Sequence, residues 1–290
     1  MEVLSPSGLQ EALLAKSEVP SAVPLAGGTD LMVDLNFDRR RPDAVIDLTR
    51  VPELTGWERA DGVIRLGAGV TYARLVAEVA PELPGLAIAA RTVGSPQIRN
   101  RGTVGGNLGT ASPAGDALPP LLAAGAQVEV ASATAARSMP LTAFITGPKT
   151  TALEPGELIT AVSVPVATGP QQFSKIGTRN AMVIAVTSFA LALHPERREV
   201  TTAIGSAGPR PLVAAEAESF LGGVLDEAGL WDARGAIPPA AAARFGELVA
   251  GAAQPIDDVR GTIRYRRHAL GVLARRTLAW AWDDFRKGPR

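Results

Sequence analysis

Apolar and polar positions in the first half of the chain follow a pattern that predicts short strands and short helices in alternation. Apolar runs typical of buried strands are "SAVPLAGG", "AVIDL" and "GVIRLGAG". Ser5 and Pro6 predict the N-cap and the first position of an opening helix, and Thr71 predicts the N-cap of a later one. This order of elements predicts an α/β arrangement.

The pattern continues to about residue 165 and then changes. "ALPPLLAAGAQVEV" predicts a short helix that ends at Gly125 and is followed by a strand, and "GELITAVSVP" predicts a strand that ends at Pro165. Beyond it, three β-rich segments (171–177, 183–193 and 200–205) precede an alanine-rich, helical remainder. The last helix, at about 258–286, carries many arginines, which we expect to form a solvated basic face. These features predict a separate α+β domain from residue 166 onward.

Two stretches concentrate glycine among small hydroxyl residues. "PLAGGTDLM" follows the first predicted strand, and "TVGGNLGTASPAGD" (103–116) lies in the next α/β segment. Read as a loop, the second stretch offers about a dozen backbone N–H donors and no bulky side chain that would hold a phosphate away. Two such segments together predict a diphosphate cradle, and hence a dinucleotide held between two subdomains. The alternative is that the glycines only form structural turns.

Two other motifs resemble nucleotide loops but depart from them. "RLGAGVTYARL" places Gly67 and Gly69 between a strand and a helix, yet Tyr72 stands at the third glycine position of the dinucleotide fingerprint. "TGPKT" has Pro148 where a triphosphate loop needs an N–H donor. We interpret the first as a structural turn and reject the second as a triphosphate site.

Composition excludes several kinds of chemistry. The 290 residues contain 29 Lys plus Arg and 29 Asp plus Glu, so no net positive charge is present to hold a nucleic acid. Cysteine is absent, which removes disulfides, thiolate-bound clusters and a cysteine nucleophile. His194 and His268 are far apart and predict no metal site. Redox chemistry would therefore depend on an organic cofactor. The apolar runs are too short for a membrane span, and we expect a cytoplasmic protein.

Four segments resemble one known family, the FAD-binding or medium subunits of molybdenum hydroxylases of the xanthine dehydrogenase and carbon monoxide dehydrogenase type. They are "LAGGTDL" (25–31), "IRNRGTVGGNLGTASPAGD" (98–116), "FSKIGTRNAMVIAVTSFAL" (173–191) and "DVRGTIRYRRHALGVLARR" (258–276). The resemblance covers nearly the whole chain. The sequence departs from the family pattern at Val183, where many relatives carry aspartate.

The resemblance implies an α+β fold: two α/β subdomains of the PCMH-type, vanillyl-alcohol oxidase-like FAD-binding fold, then a C-terminal domain with a three-stranded antiparallel sheet packed on helices. It implies that the two FAD-binding subdomains cover residues 1–56 and 57–165 and that the C-terminal domain covers residues 166–290. The first segment would hold the diphosphate and adenosine side of FAD through Leu25, Ala26, Gly27, Gly28, Thr29, Asp30 and Leu31. The other edge would comprise Gly102, Thr103, Gly105, Gly106, Asn107, Thr110, Ser112 and Asp116, with Asp116 on ribityl or ribose hydroxyls. Ile159 would pack beside the flavin, and Lys175 would reach its pyrimidine end.

The function implied by the resemblance is electron transfer within a complex. FAD would receive electrons from a 2Fe–2S subunit and pass them to NAD⁺ or another acceptor, while a molybdopterin-binding subunit hydroxylates the substrate. The complex would be a heterotrimer or its dimer. The resemblance assigns no catalytic side chain and no metal ligand to this chain. The alternatives are a self-contained FAD oxidase of the vanillyl-alcohol type, a scaffold whose glycines are only turns, and a nucleotide-sugar reductase.

Overall fold

A computed structural model describes residues 1–288. The strands are β1 Glu2–Leu4, β2 Val23–Leu25, β3 Ala44–Asp47, β4 Trp57–Ala60, β5 Val63–Gly67, β6 Gln127–Ala131, β7 Ala136–Pro140, β8 Ile145–Gly147, β9 Thr150–Thr151, β10 Leu158–Pro165, β11 Gln171–Ile176, β12 Thr187–His194 and β13 Glu199–Gly205. The helices are α1 Leu9–Glu18, α2 Leu31–Asn36, α3 Tyr72–Glu78, α4 Pro84–Thr92, α5 Pro96–Arg101, α6 Val104–Thr110, α7 Leu118–Ala123, α8 Leu141–Phe144, α9 Ala215–Glu227, α10 Leu230–Ala233, α11 Pro239–Ala252 and α12 Ile263–Lys287.

The described residues group into two compact units whose chain segments interleave. Unit 1 comprises Met1–Val79, Gly94–Ser112 and Gly125–Pro165. Unit 2 comprises Ala80–Val93, Pro113–Ala124 and Val166–Arg290, of which the structure describes the part up to residue 288. Two segments from the first half of the chain therefore pack with the C-terminal part. The three domain ranges derived from the resemblance stay a prediction.

Unit 1 contains two main sheets. In the first, β3 lies between β1 and β2, and all three strands are parallel. The second is antiparallel, in the order β4-β5-β10-β6-β7. Inward-facing side chains of its strands, such as Ile64, Leu66 and Val162, are fully buried. The predicted strands at 44–48 and 62–69 and the strand ending at Pro165 are confirmed, as is the N-cap of α3, where Thr71 accepts the Arg74 amide.

The predicted start of the first helix is wrong. Strand β1 occupies Glu2–Leu4, and the helix begins only at Leu9. Carboxylates replace the expected serine hydroxyl: Glu11 accepts from the Ser7 amide at 2.7 Å, and Glu53, far along the chain, accepts from the Leu9 amide at 3.0 Å. A cap supplied from a distant segment cannot be read from the local sequence.

Unit 2 is built around an antiparallel sheet in the order β11-β12-β13. Every residue of β12 is buried, because the sheet has helices on both faces. Phe189, Leu191 and Leu193 point into a core formed with α9, α11 and α12. Ala190, between them, faces the other way, toward Ala89 and Ala123 of α4 and α7. The predicted three-stranded sheet packed on helices is confirmed.

Helix α12 differs from its prediction at one arginine. It begins at Ile263, and Thr262 is its N-cap. Arg266 is not solvated but 2% exposed, and it donates to the carbonyls of Val186 and Ser206 at 2.7 and 2.6 Å. This arginine therefore fastens α12 to the segments before β12 and after β13. No helix within residues 1–288 has both the length and the apolar character needed to cross a membrane.

Candidate functional site

The first glycine segment is a loop whose backbone donors are unpaired within residues 1–288. Leu25 ends β2 opposite Asp47 of β3, and Leu31 begins α2. The backbone N–H groups of residues 26–30 between them donate to no acceptor within the described chain, residues 1–288. Gly28 has a φ of +76°, a conformation that glycine adopts without strain. Five such donors in one turn can bind an anion such as a phosphate.

Arg101 and Gly102, which immediately precede the second glycine segment, lie directly against the first segment. A Cβ on Gly27 would come within 1.9 Å of the Arg101 carbonyl oxygen and 3.0 Å of the Gly102 Cα. A Cβ on Gly102 would lie 3.6 Å from the Thr29 hydroxyl. Within unit 1, the structure thus brings the first segment next to the start of the second. Glycine is required at position 27 for this contact between two stretches of backbone.

The prediction that residues 103–116 form a loop with about a dozen free donors is wrong. Residues 104–110 form helix α6, with Thr103 as its N-cap. The Val104 and Gly105 amides donate to the carbonyls of Val70 and Ala68, and the Gly106 amide donates to the Thr103 hydroxyl at 2.9 Å. Gly105 permits this packing, since a Cβ there would lie 2.5 Å from the Ala68 Cβ. The N–H groups that begin α6 are therefore already used.

What α6 offers instead is space and one unpaired acceptor. A Cβ on Gly106 would meet only the Thr103 hydroxyl, at 3.0 Å, and a Cβ on Gly109 only the Ile159 Cδ1, at 3.5 Å. Ile159 stands at a register shift in the pairing of β10 with β6, where a bulge redirects side chains. Asn107 Oδ1 is buried without a hydrogen-bond partner. A buried acceptor of this kind is costly unless a ligand or water donates to it.

Asp30 is the ionisable side chain of the first glycine segment, and its pKa depends on burial and on neighbouring groups. Desolvation raises the pKa of the Asp30 carboxyl, and nearby Asp34 adds to the rise. The Thr110 hydroxyl and the Lys149 ammonium act in the opposite direction. Thr110 is on α6, and Lys149 lies in the turn between β8 and β9. Sequence reasoning missed Lys149, because "TGPKT" was tested only as a triphosphate loop.

Ser112 follows α6 and is the last residue of its segment in unit 1.

The interpretation of Gly67 and Gly69 as a structural turn is confirmed. Their amides donate to the carbonyls of Gly56 and Leu54, and a Cβ on Gly67 would lie 2.3 Å from the Leu54 carbonyl oxygen. These glycines therefore serve backbone packing and not phosphate binding.

Asp116 and Lys175, the remaining predicted site residues, belong to unit 2 and form a buried ion pair. Lys175 Nζ lies 2.6 Å from Asp116 Oδ2, and each side chain is 10% exposed. Burial raises the pKa of Asp116, and the charge of Lys175 opposes that rise. Asp116 Oδ1 is buried without a partner.

The Lys175 ammonium makes two further hydrogen bonds, to the carbonyls of Thr92 and Val183, both at 3.1 Å. An ammonium has three donors, so all three are used within unit 2. Lys175 would have to give up one of these bonds to donate to a flavin. Its predicted contact with the pyrimidine end stays a prediction. Val183, the position at which the sequence departs from the family pattern, takes part through its backbone carbonyl.

His194 takes part in a hydrogen-bond chain within unit 2. Its Nε2 lies 2.9 Å from the Thr201 hydroxyl, which itself donates to the Ala123 carbonyl at 2.6 Å. The Thr201 oxygen is therefore the acceptor, and His194 carries its proton on Nε2. Within residues 1–288, no group of His, Asp and Glu side chains could hold a metal ion.

Two family models account for almost the whole chain. Residues 1–167 match the FAD binding domain in molybdopterin dehydrogenase, and residues 172–281 match the CO dehydrogenase flavoprotein C-terminal domain. The first match ends at residue 167 and the second begins at residue 172.

Relatives and solved structures match this chain over most of its length and most of their own. The medium chain of glyceraldehyde dehydrogenase from Sulfolobus acidocaldarius is 32% identical over 91% of this chain and 92% of its own. The medium subunit of nicotine 6-hydroxylase from Paenarthrobacter nicotinovorans is 31% identical over 96% and 95%. A chain of quinoline 2-oxidoreductase from Pseudomonas putida 86 superimposes with a TM-score of 0.88 at 27% identity, covering 98% and 97%. These matches confirm the resemblance and the oxidoreductase class. The chain belongs to the family of FAD-binding medium subunits of molybdenum hydroxylases.

Proposed function

We propose that this chain carries electrons through FAD, from the 2Fe–2S clusters of one partner chain to NAD⁺ or another acceptor. A molybdopterin-binding partner would hydroxylate the substrate and so generate those electrons. The single observation that carries the proposal is the loop at residues 26–30, whose five N–H groups have no acceptor within the described residues. Such donors suit the diphosphate at the centre of FAD.

The residues present in unit 1 fit FAD. Buried Asn107 Oδ1 needs a donor, and the hydroxyl groups of FAD can supply one. Glycine at position 106 leaves space beside α6 that any larger side chain would fill. The proposed ligands in this unit are Leu25–Leu31, Gly102, Thr103, Gly105, Gly106, Asn107, Thr110, Ser112 and Ile159. Gly105 contributes by bringing α6 against Ala68, since its own amide is already used.

In unit 2 the proposed site residues are Asp116 and Lys175. Asp116 Oδ1 retains acceptor capacity toward a ribityl or ribose hydroxyl, because only Oδ2 is bonded to Lys175. The charge of Lys175 favours the ionised form of Asp116 and so opposes the rise in its pKa that burial causes. Its positive charge would also favour negative charge on a nearby flavin ring.

When bound, FAD supplies a carrier that exchanges electrons singly or in pairs, which matches one-electron clusters to a two-electron acceptor. The chain's own residues bind and orient this carrier. The hydroxylated substrate is left open by this chain, since its relatives are named for an aldehyde, nicotine and quinoline. We place the complex in the cytoplasm.

The experiment is purification of the tagged chain from its native cell, followed by FAD, iron and molybdenum analysis of whatever co-purifies. We expect flavin on this chain, iron on a second and molybdenum on a third. Anaerobic addition of NAD⁺ to the complex, once it has been reduced with just enough dithionite to bleach the flavin, should then restore the flavin absorbance. Purification of a flavin-containing chain that oxidises a small alcohol without partners would contradict the proposal.

A further inference from the structure

Lys149 is a charged residue that lies outside the set of predicted site residues. It lies at the tip of the hairpin formed by β8 and β9, between Gly147 and Thr150. Buried Phe144 and Ile145 anchor the base of this hairpin. The Lys149 side chain makes no hydrogen bond or close ion pair within residues 1–288, although it acts on Asp30 over a longer distance. The lysine is thus held by an anchored hairpin, and no carboxylate within residues 1–288 forms a close ion pair with it.

The backbone of Lys149 is fastened to the end of α6. Its amide donates to the Ala111 carbonyl at 3.0 Å, and Ala111 immediately follows that helix. Both residues adopt left-handed conformations, with φ of +56° at Lys149 and +45° at Ala111. Non-glycine residues adopt this conformation at a cost, and such strain is frequent at ligand sites. Two strained residues joined by a hydrogen bond thus place the lysine beside the second glycine segment.

The proposed ligands in unit 1 include no positively charged side chain that could pair with a diphosphate. In unit 1 the proposed set contains one ionisable side chain, Asp30, whose carboxylate form would repel the diphosphate. Lys149 lies close enough to Asp30 to lower the pKa of its carboxyl. A cation near both glycine segments would offset the repulsion between Asp30 and a phosphate group.

We propose that Lys149 is a phosphate-binding residue, whose ammonium pairs with the diphosphate held by residues 26–30. The proposal rests on the proposed FAD site and adds a charged ligand to it. The alternative is a structural role, in which the lysine only compensates the C-terminal end of α6. The two roles differ in which ligands would feel the loss of the charge.

The test is the affinity of the flavin-free full chain for FAD, ADP and riboflavin, which share different parts of the cofactor. The variants are Lys149→Met, Lys149→Arg and, as a matched control, Lys287→Met on α12. We expect Lys149→Met to weaken FAD and ADP about tenfold, since bonds between charged groups are the strong ones. Riboflavin, which has no phosphate, should bind as it does to the unchanged chain. Lys149→Arg should keep the affinity, and high salt should shrink the difference.

Equal affinity of Lys149→Met and the unchanged chain for FAD and ADP would overturn the proposal. So would an equal loss for riboflavin, or a fall in the melting temperature of the ligand-free chain, either of which indicates the structural role. Failure of the unchanged chain to bind FAD at all would instead contradict the proposed function. The two failures are therefore distinguishable.

Discussion

Gly27 and Arg101 lie so close that a single added carbon on Gly27 would come within 1.9 Å of the Arg101 carbonyl oxygen. Gly27 belongs to the loop with unpaired amides, and Arg101 ends the helix that precedes Thr103. The contact therefore sets the position of one glycine segment relative to the other. The conspicuous glycines also differ in their surroundings: Gly27 and Gly105 allow backbone to pack closely, whereas a Cβ on Gly106 would meet only the Thr103 hydroxyl.

Replacing Gly27 should destabilise the fold as well as weaken the binding of FAD. We expect Gly27→Ala to lower the free energy of unfolding by about 1–3 kcal/mol, because backbone on both sides must shift. Denaturant unfolding of the flavin-free chain measures this. The control is Gly56→Ala, since nothing lies within 4 Å of a Cβ at Gly56. Equal stability of the two variants would show that the contact is more tolerant than the structure indicates.

Removing the side-chain amide of Asn107 should weaken the binding of FAD and leave the stability of the ligand-free chain almost unchanged. Asn107 Oδ1 is buried without a partner, so the ligand-free chain gains nothing from it. We therefore expect Asn107→Ala to weaken FAD by about 1–3 kcal/mol, while unfolding of the ligand-free chain changes much less. Titration with FAD and thermal unfolding of the flavin-free chain measure the two effects. Undiminished FAD affinity in this variant would remove Asn107 from the site.

Breaking the buried pair in unit 2 should be costly and depend on pH. Lys175→Met leaves the Asp116 carboxylate buried without its cation, which we expect to cost about 3–5 kcal/mol near neutral pH. Burial raises the pKa of Asp116, and loss of Lys175 raises it further. A carboxyl with a raised pKa binds more protons when folded, so stability falls as pH rises above the ordinary value of 3.8. The cost of Lys175→Met should accordingly be smaller in acid.

The control for that experiment is the double variant Lys175→Met/Asp116→Leu, which removes both charges. It should recover much of the lost stability at neutral pH. Unfolding curves at several pH values compare the two variants with the unchanged chain. A loss from Lys175→Met that is the same at every pH would contradict the role given to Asp116.

His194 predicts a second pH effect, of opposite sign. Burial lowers the pKa of His194, and Arg197 adds to the decrease. The unfolded chain therefore takes up a proton before the folded chain does, and stability falls as pH drops below 6.5. His194→Gln should remove this part of the pH dependence, as measured by unfolding between about pH 8 and pH 5. His268→Gln is the control and should keep it; loss of the dependence in both variants would contradict the assignment.

The sequence predicts most of the strands of this fold because their patterns are local. Phe189, Ala190 and Leu191 alternate between the two faces of β12, and the run is apolar because helices cover both faces. Thr71 acts as a cap through its own hydroxyl group. Where the determinant is distant, as with Glu53 at the start of α1, the local pattern placed the helix wrongly.

The same reason limits what could be predicted of the site. The glycine content of "TVGGNLGT" disfavours a helix, and α6 forms because Gly105 packs on Ala68. Lys175 meets Asp116 across 59 positions of sequence, so their pairing was not visible in either segment. The residues themselves could be named from the family motifs, whereas which amides are used and which remain unpaired required the structure.

The most direct test of the account is the flavin content of Gly106→Val compared with Gly223→Val. Both glycines lie in helices, so the change in helix propensity is the same, and a Cβ at Gly223 meets nothing within 4 Å. We expect the unchanged chain and Gly223→Val to hold about one FAD per chain. Gly106→Val should stay folded and yet show little flavin absorbance, even after FAD is added. Full flavin content in Gly106→Val, or an unchanged chain that binds no FAD, would contradict the account.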